Sequence, residues 1–244
     1  MNTKINKTKG YLGMNKISIL EKVRLSYQPK LPKVFAEKGA SVSVKEGSVT
    51  TPVADNDAMQ NQFPNTCGLP LVEFQAGDQA DNEELNLGVV LSGGQAPGGH
   101  NVIAGLFDAL KRMNPNNKLV GFKKGPDGLI KKDYMILESD TVDAYRNTGG
   151  FDMIASGRTK LESEDQFATV AKNCKELEVN ALVIIGGDDS NTNACLLAEY
   201  FEQNDIDIKV IGCPKTIDGD LKNAQIETSF GFDTATKVYS ELIG

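Results

Sequence analysis

Residues 86–101 have the sequence NLGVVLSGGQAPGGHN, in which an apolar run leads directly into a turn with four glycines. A short apolar run that is bounded by glycine is typical of a buried strand in a parallel sheet. The turn opens onto residues 101–114, where apolar side chains three and four positions apart predict a helix. Because parallel strands need a crossover connection, which is usually helical, this unit indicates an α/β fold.

The same alternation of apolar runs and amphipathic stretches continues to the end of the chain. We predict an α/β fold: a Rossmann-like, mostly parallel sheet with helices on both faces, preceded by an amino-terminal extension over residues 1–85. The predicted strands are residues 86–91, 118–122, 181–185 and 209–213. The predicted helices are residues 101–114, 164–177, 192–204 and 234–243.

The extension differs from the rest of the chain because it is polar and contains only short apolar runs. Within residues 17–23, apolar side chains at three-residue spacing predict a short helix. Two prolines, Pro29 and Pro32, end this helix, and an extended arm is expected after it. Residues 49–85 leave three interpretations open: a loop, an interface arm or a partly disordered segment.

The composition excludes several classes of function. The chain has 244 residues, of which 40% are hydrophobic and 24% are charged, as is usual for a globular protein. Its net charge of -7 argues against a broad surface for nucleic acid or for an anionic membrane. The sequence has neither a run of about 18 apolar residues nor an apolar stretch of signal-peptide length at its start, which predicts a cytoplasmic protein.

Cysteine and histidine chemistry is also restricted. The four cysteines form no CxxC pair, and with a single histidine they cannot provide a usual zinc site, so we expect reduced, mostly buried thiols. The histidine, His100, limits the chain to one Ser–His or Cys–His nucleophilic pair. Its position beside the glycine-rich turn leaves two interpretations open: packing and hydrogen bonding in the loop, or proton transfer.

Chemistry is expected at the carboxyl ends of the strands, where open parallel sheets bind their ligands. After the first predicted strand, the turn of residues 92–101 leaves backbone N–H groups free to face an anion at the positive end of a helix. It lacks the spacing of a Walker A loop and of a GxGxxG fingerprint. Phosphate binding and a tight turn that needs glycine for positive φ both remain open.

The strand predicted at residues 181–185 is followed by GGDDSN at residues 186–191. Adjacent carboxylates are costly to hold together unless a cation shares them, and Mg²⁺ beside a phosphate would account for at least one of Asp188 and Asp189. The alternative is helix capping by Asp189 or Ser190, because both residue types are preferred at an N-cap.

The strand predicted at residues 209–213 is followed by PKTIDGD at residues 214–220. A carboxylate that accepts a hydroxyl proton, next to a lysine that neutralises a moving phosphoryl group, is what phosphoryl transfer to an alcohol needs. The alternative for this segment alone is a chance cluster of charge in a solvated loop. In a fourth segment, Arg158 fits either a bidentate phosphate contact or a surface ion pair. Three phosphate-suited strand ends in one sheet favour phosphoryl transfer.

Together these segments resemble the phosphofructokinase family, and more narrowly its pyrophosphate-dependent members. The resemblance covers residues 86–244, includes the Arg158 segment, and rests on three motifs: SGGQAPGGHN at 92–101, GGDDS at 186–190 and PKTIDGDL at 214–221. A further stretch, VRLSYQPKLP at 23–32, resembles the amino-terminal arm of the long pyrophosphate-dependent forms.

The resemblance implies reversible phosphoryl transfer from pyrophosphate to the 1-hydroxyl of fructose 6-phosphate, which gives fructose 1,6-bisphosphate and phosphate in glycolysis. By position, Asp218 matches the catalytic base, and Lys215 is the cation beside the transferring group. Thr216 and Asp220 match substrate-binding positions, and Asp188 matches the magnesium position. The donor-binding residues carried over by position are Gly93, Gly94, Arg158, Asp189 and Ser190.

The donor follows from two positions at which ATP-dependent relatives typically carry glycine. Asp189 would place negative charge and bulk where the α-phosphate of ATP would lie, and the compact ammonium of Lys215 suits the charge of the transferring group. The resemblance therefore implies pyrophosphate as the donor and Mg²⁺ as the cofactor. An ATP-dependent phosphofructokinase and a non-catalytic regulatory or assembly subunit remain the alternatives.

The family places further sugar-phosphate groups in a second half that would follow Gly244. We therefore expect residues 86–244 to form a donor-binding and catalytic-loop domain, in a chain that is a fragment or a shortened subunit in need of a partner. The expected partners are pyrophosphate, fructose 6-phosphate and either further copies of the chain or a complementary subunit, with no nucleic acid and no membrane.

Overall fold

The computed structural model describes residues 18–28, 30–38, 42–77, 84–224, 226 and 229–244, and the chain divides into two compact units, 1–30 and 31–244. In the first unit, helix α1 spans Ile19–Ser26, which confirms the short helix expected from the apolar spacing. Ile17 and Pro29, on which that prediction also drew, lie outside the described residues.

The second unit begins with a helix and a hairpin. Its first four elements are helix α2 (Lys33–Lys38), strand β1 (Val42–Val49), helix α3 (Asn56–Gln62) and strand β2 (Pro70–Ala76). Strands β1 and β2 pair antiparallel in a two-stranded sheet. The expected extended arm is therefore wrong after Pro32, because this proline directly precedes α2, where its missing N–H costs no helical hydrogen bond.

The main sheet has six strands in the order β5-β4-β3-β6-β7-β8, all parallel except β5, which runs antiparallel to β4. Its strands are β3 (Asn86–Leu91), β4 (Lys118–Phe122), β5 (Tyr134–Ile136), β6 (Ala181–Gly186), β7 (Lys209–Thr216) and β8 (Phe230–Gly231). The four predicted strands are confirmed. Strands β5 and β8 escaped prediction because three or two residues are too few to show a periodic pattern.

Helices cover both faces of this sheet. They are α4 (Gly99–Met113), α5 (Pro126–Lys131), α6 (Ser139–Tyr145), α7 (Glu164–Glu176), α8 (Asp188–Gln203) and α9 (Phe232–Ile243). Alternate residues of β3 enter two separate cores: Leu87, Val89 and Leu91 pack with α4 and α6, whereas Val90 packs with α7 and α8. The predicted α/β fold with helices on both faces is confirmed.

The structure tests the burial that we expected for the cysteines. All four cysteines are free, but only Cys174 is buried and the other three are half-buried, so the expectation of mostly buried thiols is wrong. Burial raises the pKa of the Cys174 thiol to about 12.

Among the described helices, none has both the length and the apolar character that spanning a bilayer requires.

A buried carboxylate on α8 holds the loop between α3 and β2. Glu199 is 3% exposed and accepts hydrogen bonds from the backbone and side chains of Asn65 and Thr66 at 2.6–3.2 Å. A further bond comes from the Gln203 side chain at 3.0 Å. Burial alone would raise the pKa of Glu199, but the bonds from Thr66 and Asn65 outweigh it and lower the pKa. The loop is therefore part of the folded unit.

We expect Glu199→Gln to lower the free energy of unfolding by about 2–3 kcal/mol, because the amide presents a second donor to the N–H groups of Asn65 and Thr66. Chemical denaturation at neutral pH measures this loss. Since the folded-state pKa of Glu199 is lowered, its contribution is present above the unfolded pKa and disappears as pH falls through the folded value. The control is Glu202→Gln on the same helix, whose half-exposed carboxylate pairs with Lys209 at 3.7 Å. Equal losses in both variants would contradict the anchor.

Candidate active site

The strand ends singled out in the sequence meet at one edge of the sheet. Strands β3, β6 and β7 are adjacent and parallel, so their carboxyl ends lie side by side around a cleft of about 390 Å³. All ten predicted site residues line this cleft: Gly93, Gly94, Arg158, Asp188, Asp189, Ser190, Lys215, Thr216, Asp218 and Asp220. The structure thus brings the whole predicted set together.

The glycine-rich turn forms one wall of the cleft. Gly93 has φ of +83°, which a residue with a side chain rarely adopts, so the tight-turn interpretation is correct at this position. At Gly94 the constraint is a close approach instead, because a Cβ there would lie 3.0 Å from the Arg158 guanidinium and would displace the end of that side chain. The turn therefore supplies both a tight bend and a side-chain-free surface to the cleft.

The turn after β6 is built differently from a capped helix. The N-cap of α8 is Gly187, and no side chain caps it, so the capping interpretation of Asp189 and Ser190 is wrong. Ser190 is buried and its Oγ donates to Ser92 Oγ at 2.8 Å, which joins the ends of β6 and β3. Asp188 and Asp189 lie exposed in the first helical turn. Helix α8 begins four residues before its predicted start, because its first residues are aspartate, serine and asparagine, which do not show the apolar period.

Lys215 lies at the end of β7, which extends three residues beyond its predicted limit. The side chain is only 5% exposed, and its Nζ donates a hydrogen bond to the Gly94 carbonyl. Burial lowers the pKa of Lys215, the neighbouring Arg158 guanidinium lowers it further, and Asp218 partly opposes both effects. The interpretation of this segment as a solvated charged loop is therefore wrong for Lys215.

The remaining residues of this loop stand at the mouth of the cleft. Thr216 is buried, and its Oγ1 accepts a hydrogen bond from the Asp218 backbone N–H at 3.0 Å. This bond shapes the turn that carries Asp218. The carboxylates of Asp218 and Asp220 are exposed, so both can reach a ligand that enters the cleft.

Arg158 arrives from a segment that pairs with the glycine-rich turn. The Gly93 N–H donates to the Gly157 carbonyl at 2.8 Å, and Ser92 and Gly157 form a parallel bridge. Over the described ranges, Arg158 has no carboxylate within ion-pairing distance, which argues against its role in a surface ion pair. Its guanidinium instead stands over Gly94 and faces the cleft.

Several residues in or next to the cleft were not identified from the sequence as individual candidates. Lys160 pairs with the Asp189 carboxylate at 3.1 Å, and its position two residues after Arg158 was the available signal. The Phe151 ring lies 5.9 Å from Lys215 Nζ, a contact between residues 64 positions apart that no local pattern shows. Gln95, Gly187 and Ile217 complete the lining.

The fold and the position of the cleft define an α/β protein with a ligand site at the carboxyl edge of its parallel sheet. Within this class, the family model for phosphofructokinase matches residues 86–244, and the chain belongs to the phosphofructokinase family. The family-level resemblance seen in the sequence motifs is confirmed.

Curated relatives agree with this assignment. The chain is 59% identical to the pyrophosphate–fructose 6-phosphate 1-phosphotransferase of Porphyromonas gingivalis, over 93% of the chain and 41% of that protein. It is 54% identical to the protein of the same name from Treponema pallidum, over 93% of the chain and 42% of that protein. The chain therefore spans about two fifths of the length of these relatives.

Solved structures share the fold at low sequence identity. A pyrophosphate-dependent phosphofructokinase from Marinobacter aquaeolei aligns with a TM-score of 0.57 and 20% identity, over 64% of the chain and 40% of that protein. Phosphofructokinase from Pichia pastoris aligns with a TM-score of 0.53 and 22% identity, over 69% of the chain and 19% of that protein. These similarities support the fold alone.

Proposed function

We propose that this chain carries the donor site and catalytic loop of a pyrophosphate-dependent 6-phosphofructokinase. The reaction is reversible transfer of a phosphoryl group from pyrophosphate to the 1-hydroxyl of fructose 6-phosphate, a cytoplasmic step of glycolysis. The observation that carries the proposal is the buried Lys215 ammonium, which shares one cleft with Arg158 and with the exposed carboxylate of Asp218. Relatives that bear this activity in their names are more than half identical to the chain.

In this proposal the cations of the cleft stabilise the charge of the donor. The bridging P–O bond of pyrophosphate breaks as the 1-hydroxyl oxygen bonds to the transferred phosphorus, and phosphate leaves. Lys215 and Arg158 offset the negative charge on the transferring group and on the departing phosphate. The Gly93 N–H is bonded to Gly157 and the Ser190 hydroxyl to Ser92, so the neutral donors beside these cations would be the backbone N–H groups of Gly94 and Gln95.

Asp218 acts as the general base that accepts the proton of the 1-hydroxyl. Its exposure at the mouth of the cleft places the carboxylate where a second substrate would meet the donor. Thr216 and Asp220 flank it and would bind the sugar around that hydroxyl. Residues 86–244 therefore act as a donor-binding and catalytic-loop domain, and residues 1–85 as its extension. A homo-oligomer or a complementary subunit would supply the rest of the sugar-phosphate site.

Mg²⁺ fits the residues present. In the described part of the chain, no group of three or more His, Cys, Asp or Glu side chains is arranged to hold a metal. Asp188, exposed at the rim of the cleft, would hold the ion together with pyrophosphate oxygens and water, an arrangement typical of Mg²⁺ in phosphoryl-transfer sites. When bound, the ion neutralises part of the charge of the donor.

Calorimetry with the two candidate donors tests the proposal. We expect Mg²⁺-pyrophosphate to bind the chain more tightly than Mg²⁺-ATP, because the Asp189 carboxylate repels a third phosphate. In Asp189→Gly, the affinity for ATP should rise about tenfold, since charge and bulk are both removed. Asp189→Asn, which removes the charge and keeps the bulk, should give a smaller rise.

The matched control is Asp207→Gly, which removes a carboxylate that is 93% exposed and precedes the opposite end of β7. It should change neither affinity. Equal binding of ATP and pyrophosphate by the unaltered chain would overturn the donor assignment. Binding of neither would show that residues 86–244 do not contain a complete donor site.

A further inference from the structure

His100 is a fully buried titratable residue that the proposed reaction does not use. It lies in the first turn of α4, and its side chain is 0% exposed. The imidazole faces the segment that follows α6: Nδ1 lies 2.6 Å from Thr148 Oγ1, and Nε2 lies 3.0 Å from the Met153 backbone nitrogen. Both ring nitrogens are thus used within the protein.

These contacts specify one tautomer. The Met153 backbone N–H can only donate, so Nε2 must accept and carries no proton. The proton then resides on Nδ1, which donates a hydrogen bond to Thr148 Oγ1. The Thr148 hydroxyl in turn donates a hydrogen bond to the Tyr145 carbonyl at 2.6 Å. A doubly protonated ring would set two N–H groups against each other at Met153.

The segment held by His100 leads to the donor cleft. Further backbone bonds join the same elements, from the Gly98 N–H to Gly149 O at 2.7 Å and from the His100 N–H to Gly150 O at 2.9 Å. Between them and Met153 lies Phe151, which packs against Gly99 and whose ring faces Lys215 Nζ. Five residues after Met153, the segment reaches Arg158.

We propose that His100 is a positioning residue whose neutral Nδ1–H form clamps residues 148–153 onto the glycine-rich turn. The clamp thereby sets the position of Arg158 in the cleft and of the Phe151 ring beside Lys215. Protonation opens the clamp, because Nε2 can then no longer accept the Met153 N–H. The affinity of the cleft for pyrophosphate falls as a result. This last consequence rests on the proposed function, whereas the clamp itself does not.

The surroundings of His100 favour the neutral ring. Burial lowers the pKa of His100, and the Asp152 carboxylate, 3.3 Å from Nε2 and largely exposed, opposes this only in part. Among the described residues, the other titratable group against the ring is Tyr145 of α6, whose ring centroid lies 4.7 Å away. At neutral pH the clamp is therefore closed, and it opens only on acidification.

Nitrogen-15 NMR of the imidazole tests the clamp directly, because the chain has one histidine and its ring signals need no assignment. At pH 7 we expect a protonated Nδ1, an unprotonated Nε2 and slow hydrogen exchange at the Met153 amide. Titration should occur below the ordinary histidine value of about 6.5. The opposite tautomer, or titration at the ordinary value, would overturn the proposal.

Two variants connect the clamp to ligand binding. His100→Gln keeps an acceptor for the Met153 N–H, whereas His100→Leu fills the space without one. Calorimetry should show a loss of pyrophosphate affinity of about tenfold in His100→Leu and of less than threefold in His100→Gln. The Arg158 Nε–H resonance should shift in the leucine variant alone, which a uniform loss of stability would not produce.

The pH profile separates the clamp from the protonation of pyrophosphate. The ratio of affinities of the unaltered chain and His100→Gln cancels the titration of the ligand, and we expect it to be constant near neutral pH and to fall on acidification. A ratio that stays constant would overturn the proposed pH response. Should pyrophosphate bind to none of these proteins, the proposed function fails, while the tautomer and the Met153 exchange rate still decide whether the clamp exists.

Discussion

In an active assembly that contains this chain, Asp218→Asn is expected to lower turnover by about 10²- to 10⁴-fold, the range typical of the loss of a general base. The amide is nearly the same size as the carboxylate but cannot accept the hydroxyl proton. The Thr216 Oγ1 contact uses the Asp218 backbone N–H and survives the change, so the loop keeps its shape. Formation of fructose 1,6-bisphosphate measures the rate.

Donor binding distinguishes loss of the base from collapse of the site. Calorimetry should give a pyrophosphate affinity for Asp218→Asn within about twofold of the unaltered chain. The control, Asp207→Asn, changes a carboxylate outside the cleft and should leave turnover unchanged. Turnover that persists in Asp218→Asn would exclude Asp218 as the base.

Lys215→Met is expected to weaken pyrophosphate binding by about 10- to 100-fold, which corresponds to the loss of a charge-assisted hydrogen bond of about 1.5–3 kcal/mol. Methionine has a similar length and no charge, so the buried space stays filled. Lys209→Met is the matched control, because Lys209 lies at the other end of β7 and its exposed ammonium pairs with the surface carboxylates of Glu202 and Asp207. Equal losses in both variants would contradict the role of Lys215.

The lowered pKa of Lys215 gives this prediction a pH dependence. A lysine whose pKa is lowered loses its charge at a lower pH than an exposed lysine does, so pyrophosphate affinity should decline as pH rises toward the ordinary lysine range of about 10.4. The Lys215→Met variant has no such group and should lack this decline. Calorimetry over the alkaline range compares the two proteins.

Local patterns along the chain suffice to predict some elements of the fold. The core of β3 and its glycine-rich turn could be predicted, since an apolar run and the φ of Gly93 depend on neighbours along the chain. The starts of α4 and α8 could not, because Gly99, Asp188 and Asp189 join their helices without an apolar period. The loop between α3 and β2 is held by a distant carboxylate, Glu199, and local spacing contains no sign of this contact.

The sequence by itself determined the fold class, the family and ten of the residues that line the cleft, since each motif contains its functional groups within a few residues. The tertiary structure decided between the alternative roles that the sequence left open for individual residues. Lys215 is buried because the turn after β3 reaches across β6 to the end of β7, where the Gly94 carbonyl accepts a hydrogen bond from Lys215. Arg158 stands over Gly94 because the neighbouring Gly157 pairs with the start of the same turn. The protonation state of His100 likewise depends on the Met153 amide, 53 positions along the chain. Burial and contacts between distant segments set these properties, and both exist only after the chain has folded.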